Sequence, residues 1–139
     1  MTEELEKVMD KYNPDKVIAE EVVPEENQKN TVRRSKATFK ALIYLQAFIA
    51  HMVNKKGKTL EFTVSSSWRK QCGIKTGAGI KRDSLKKADI AFVKEKYNIE
   101  VNDNNDIADA ICIGYSIVEK ENLVQKEKEA FTATSFDFK

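Results

Sequence analysis

Asp106-Ile107-Ala108-Asp109-Ala110 opens an apolar run that continues through Ile111, Ile113, Ile117 and Val118. That pattern predicts a helix beginning at Asp106. Residues three apart share one helix face, so the two carboxylates lie side by side near the positive N-terminal end. Aimed at a third carboxylate from elsewhere, such a pair is a ready site for a divalent cation, because hard ions such as magnesium prefer oxygen ligands. Glu20 is the candidate partner, inside Val17-Ile18-Ala19-Glu20-Glu21-Val22-Val23, whose β-branched residues predict a strand. Glu21 points to the opposite face of that strand and stands in reserve should the register shift by one. The plainer alternative makes Asp106 a helix cap and Asp109 a first-turn acid.

The chain around these acids is polarised. Its net charge of +2 divides into −5 over residues 1–29, +12 over 30–98 and −5 over 99–139. A basic middle between acidic ends suggests a nucleic-acid surface beside a carboxylate cluster; a solvated lysine-rich face is the competing reading. At 139 residues and 41% hydrophobic, with five Gly and two Pro, the chain fits one helix-rich globular domain. No apolar run reaches the roughly 18 residues that span a bilayer, and no signal-peptide pattern opens the chain, so a cytoplasmic protein is expected. Cys72 and Cys112 lack metal-site spacing and read as reduced, partly buried thiols. His51, the one histidine, leaves zinc sites and histidine-based nucleophilic catalysis almost nothing to work with.

Outward from the acids, the pattern predicts a helix over 3–12, ended at Asn13-Pro14, and a strand from Lys16 to Val23. Pro24 to Asn30 reads as an acidic loop. The next helix, about Ser35 to Val53, carries two apolar stripes. Phe39, Leu42, Ile43, Ile49, Ala50 and Val53 form one; Ala41, Tyr44, Leu45, Phe48 and Met52 form the other. Burial on both sides follows, either within the molecule or against a second copy in a homodimer. Gly57 sits in a turn suited to positive φ, and Thr59 to Val64 reads as a second strand. Ser65-Ser66-Ser67 offers an N-cap for a short helix bearing Trp68, a packing residue, with Arg69 and Lys70. A helix running to about Tyr97 follows, with Leu85, Ala88 and Phe92 inward and Lys86, Lys87 and Lys94 solvated. In the Lys75-to-Arg82 loop before it, Gly77 and Gly79 would let backbone approach a phosphate while Lys81 and Arg82 supply charge; a simple helix–helix turn is the alternative. After Glu119 the sequence becomes charged and ends with Phe131, Phe136 and Phe138.

In this order, the strand bearing Glu20, the long helix, Trp68-Arg69-Lys70, the Gly77-Ala-Gly79-Ile-Lys81-Arg82 loop and the Asp106-Ile-Ala-Asp109-Ala helix resemble the RuvC-like Holliday junction resolvases. These belong to the ribonuclease H-like superfamily, and the compact phage versions are the nearest in pattern. The resemblance covers about residues 3–118. It implies an α/β, ribonuclease H-like fold with two recognisable parallel strands flanked by helices. It further implies a magnesium-dependent endonuclease, with manganese as an alternative metal, that cuts four-way DNA junctions as a homodimer. Glu20 matches the family's fourth-strand glutamate, and Asp106 and Asp109 match its helix pair, as catalytic metal ligands. Arg69, Lys70, Lys75, Gly77, Gly79, Lys81 and Arg82 become the candidate DNA contacts.

One departure stands out. The family opens with three strands, the first bearing an aspartate, whereas here Met1 leads into the helix before the fourth. Residues 1–118 therefore read as a nuclease domain lacking its first three strands, with 119–139 as a charged tail. The expectation is an N-terminally shortened or split resolvase, its hairpin encoded upstream or separately, or its initiation codon wrongly chosen. Two rival classes remain: a DNA-binding module without cleavage, and a structural protein whose basic face is solvation alone.

Overall fold

The structure, a computed structural model, describes residues 2–23 and 35–137. It is mixed α/β, mostly helical with one parallel strand pair, and falls into two units, Met1–Val64 and Ser65–Lys139. The boundary lies inside the stretch expected to be one domain. The acidic loop expected over Pro24–Asn30 lies outside the described residues.

In the first unit, α1 (Thr2–Tyr12) places Glu3 and Glu4 in its first turn and stops where Asn13 adopts φ 45°. The Asn13 amide still reaches the Met9 carbonyl at 2.8 Å, and Pro14 prevents continuation. Strand β1 (Lys16–Glu20) pairs in parallel with β2 (Thr59–Thr63), from Lys16 opposite Thr59 to Glu20 opposite Thr63. A strand reaching Val23 was expected, but β1 is shorter because its partner runs out. The Glu21 amide takes the last β2 carbonyl, Thr63, and the Val22 amide then bonds the Gln46 side chain at 3.1 Å.

Parallel strands need a long crossover, and α2 (Lys36–Lys55) lies on it. Ser35 caps it, its hydroxyl accepting from the Thr38 amide at 3.1 Å. Val53 is fully buried and Phe39, Leu42, Ile49 and Ala50 are half-buried, so the first apolar stripe turns inward except at Ile43, which is exposed. The second stripe splits: Leu45 and Met52 are half-buried, whereas Tyr44 and Phe48 are 65% and 60% exposed. Gly57 adopts φ 71° in the turn to β2, as expected. Lys56 ties that turn to α1 through Asp10 at 2.8 Å and Glu6 at 3.1 Å.

The second unit packs α3 (Ser65–Gln71) and α4 (Arg82–Tyr97) on α5 (Asn105–Asp137). The three serines expected to precede α3 form its first turn instead. Trp68 is 1% exposed, and with Cys72, Val93, Val101, Ala108 and Cys112 it makes the core. Phe92 and Tyr115 add an edge-to-face contact at 5.0 Å. On α4 the fully buried residues are Asp89 and Val93, with Leu85, Ala88 and Phe92 half-buried beside them. Residues 119–137, expected as a tail, continue α5 without a break. No described helix is long and apolar enough to cross a membrane.

Candidate functional site

Helix α5 sets the carboxylate pair. Asn104 caps it, its Oδ1 accepting from the Ile107 amide at 3.3 Å, so Asp106 is not the capping residue. Asp106 is exposed in the first turn. Asp109 is half-buried, held between Ala108 and Cys112, neither of which is exposed at all. Its Oδ1 is enclosed and among the described residues accepts no hydrogen bond, while other interactions engage the residue. Of the two acids, one is fixed by the core and one is presented to solvent.

Glu20 ends β1 in the first unit with its side chain exposed, so neither unit by itself brings the three expected ligands together. Among the described residues, no three His, Cys, Asp or Glu side chains gather as a metal-holding group. What the second unit supplies alone is a two-carboxylate set. Magnesium is often held by one or two carboxylates completed by waters and substrate phosphates, so this donor set suits it.

In the same unit as the pair, residues 65–82 contain five cations and no acid. The structure divides those cations. Arg69 turns inward: its Nη2 meets Asp89 Oδ2 at 2.8 Å and its Nε meets Oδ1 at 3.1 Å. The guanidinium also lies 4.4 Å from the centre of the Trp68 ring. Its side chain is only 13% exposed, and Asp89 is not exposed at all. Arg69, expected among the DNA contacts, is therefore engaged in a buried ion pair. Lys70, Lys75, Lys81 and Arg82 are exposed. Gly77 and Gly79 adopt φ 136° and 85°, with nothing within 4 Å of where a Cβ would stand. Backbone conformation, not crowding, requires glycine there.

Asp89 was missed by sequence reasoning. The available signal was an acid inside the apolar face of α4, a position tolerated only with a cation beside it. The two thiols close the same core. Cys72 Sγ donates to the Cys112 carbonyl at 3.5 Å, and Cys112 Sγ to the Asp89 carbonyl at 3.8 Å. Both are free and buried, and burial pushes both thiols above their usual range. Comparison with known proteins finds no matching family model, no matching curated protein and no matching solved structure.

Proposed function

We propose that this chain is a RuvC-like, magnesium-dependent endonuclease that resolves four-way DNA junctions in the cytoplasm as a homodimer, within a ribonuclease H-like fold. The reading rests on the Asp106–Asp109 pair at the start of α5, in the same unit as the acid-free basic stretch from Ser65 to Arg82. Asp109 sets the position of the pair, and exposed Asp106 reaches outward. Glu20 is the third ligand on this reading. Magnesium, or manganese in its place, would activate a water and stabilise the leaving oxygen. Lys70, Lys75, Lys81 and Arg82 hold backbone phosphates, with Gly77 and Gly79 allowing close approach.

Two features of the first unit support association. Tyr44 and Phe48 leave apolar surface on α2 for a second copy to cover. Two-stranded parallel sheets are unusual alone, and among the described residues the other edge of β1 carries no strand. A separately encoded hairpin is the partner that edge would take.

A cleavage assay on a synthetic four-way junction with magnesium tests the reading. Paired symmetric cuts are expected from the chain and none from Asp109→Asn. Binding without cutting selects a second reading, a DNA-binding module without cleavage, which the acid-free basic stretch from Ser65 to Arg82 supports by itself. DNA binding that is absent or insensitive to salt rejects both.

A further inference from the structure

We infer that a cleft on the outer side of α3, lined by neither carboxylate of the pair, is a seat for one phosphate group. The cleft is about 500 Å³ and is lined by Ser66, Ser67, Lys70, Lys75 and Thr76 with Gly73 and Ile74. No acid lines it.

The local fold explains the grouping. Trp68 and Cys72, four apart, face the core of the unit. Ser66, Ser67 and Lys70, three and four apart, therefore share the opposite, solvent side of α3. The helix ends at Gly73, φ 75°, where the Gly73 amide bonds the Lys70 carbonyl at 3.0 Å and the Ile74 amide bonds the Arg69 carbonyl at 2.9 Å. That reversal folds Ile74, Lys75 and Thr76 back against the helix they follow. Two ammonium groups and three hydroxyls thus border one cleft.

The chemistry of that lining is selective. Lysines supply positive charge, and hydroxyls supply short O–H donors that a tetrahedral oxyanion can accept on several sides. Arg69, next to Lys70, does not compete, because Asp89 and Trp68 hold it on the inner face. The cleft separates the roles of the two neighbouring cations: Arg69 builds the unit and Lys70 faces the ligand. On the proposed function, which supplies the source of the phosphate but not the argument for the seat, the occupant is a backbone phosphodiester.

The test uses the full chain labelled with nitrogen-15, titrated first with inorganic phosphate and then with a DNA duplex. Amide shifts at Ser66, Ser67, Lys75 and Thr76 are expected with both. In Lys70→Ala/Lys75→Ala the phosphate shifts disappear. Its duplex affinity falls about tenfold at low salt, and the slope of log affinity against log salt flattens by about one, the value for one lost phosphate contact. Lys86→Ala/Lys87→Ala, on α4, leaves the phosphate shifts intact, and Trp68 fluorescence verifies folding of each variant. Absence of shifts with phosphate, or an unchanged slope in the cleft variant, overturns the seat while leaving DNA binding as such untouched. Phosphate shifts without any duplex binding support the seat and reject the nucleic-acid reading instead.

Discussion

Replacing Arg69 with Met should strongly destabilise the second unit. The guanidinium holds a carboxylate with no exposure at all through contacts of 2.8 and 3.1 Å. Deleting one partner of a buried pair typically costs about 3–5 kcal/mol, because the remaining charge is left without compensation. Loss of the stacking on Trp68 adds about 0.5–1 kcal/mol. With a urea dependence of about 1.5 kcal/mol per molar, the unfolding midpoint should fall by about 2–4 M. Trp68 is the only tryptophan and lies in this unit, so its fluorescence reports the right transition even if the units melt separately. The double variant Arg69→Met/Asp89→Leu should recover most of the loss, since apolar replacement of both charges is often neutral. A single variant that loses less than about 1 kcal/mol, or a double variant no better than the single, refutes the assignment of this pair as the lock between α3 and α4.

Other outcomes follow from the same contacts. Gln46→Leu should cost about 1–3 kcal/mol in the first unit, measured by urea denaturation, because the Val22 amide loses its acceptor. Cys72 and Cys112 should alkylate in the native chain at pH 8 only as fast as the unit opens, and promptly in denaturant. Burial raises both thiols in the folded state, so their contribution to stability is complete below about pH 9, the unfolded value, and declines as pH rises beyond it toward the folded values. Chemical denaturation from pH 7 to 10 should show that decline, reduced in Cys112→Ala. Tyr44→Glu/Phe48→Glu should leave the fold intact and shift sedimentation from dimer to monomer.

Much of the architecture was legible because local chemistry fixed it. Asn13-Pro14 ends α1, the runs at Val17 and Thr59 form strands, and a long helix lies between them, as the pattern predicts. That the two strands run parallel was implied by the family resemblance alone. Two features depended on distant partners and were not legible, and a third was masked locally. The length of β1 is set by where β2 stops, at Thr63, and by Gln46 on α2. Asp89 lies among Leu85, Ala88 and Phe92, and its place in the core follows from the ion pair with Arg69, twenty positions away. The extension of α5 was obscured by charge: Glu, Lys and Gln between residues 119 and 129 are good helix formers, and Gln125 and Glu129 bond each other at 3.1 Å one turn apart. At the site, Lys70, Lys75, Lys81 and Arg82 are exposed and Gly77 and Gly79 adopt positive φ. Which cation turns inward was decided by tertiary packing.

The aspartate pair itself admits a direct test that needs neither DNA nor cleavage. A ligand that binds only the folded state stabilises it by RT ln(1 + [L]/Kd), so 10 mM magnesium against a dissociation constant of ~1 mM contributes about 1.4 kcal/mol. For a unit of this size, that raises the melting temperature of the Trp68 transition by about 5–10 °C. Sodium chloride at matched ionic strength separates binding from screening. Asp106→Asn/Asp109→Asn should abolish the rise, because one carboxamide oxygen cannot replace an ionised carboxylate for a hard cation. Glu20→Gln should reduce it if the first unit supplies a ligand to the same ion, and an undiminished rise removes Glu20 from the ligand set. If the double variant gains as much as the parent chain, or if the parent gains nothing, Asp106 and Asp109 are helix-end acids that favour the positive end of α5 and the metal assignment fails.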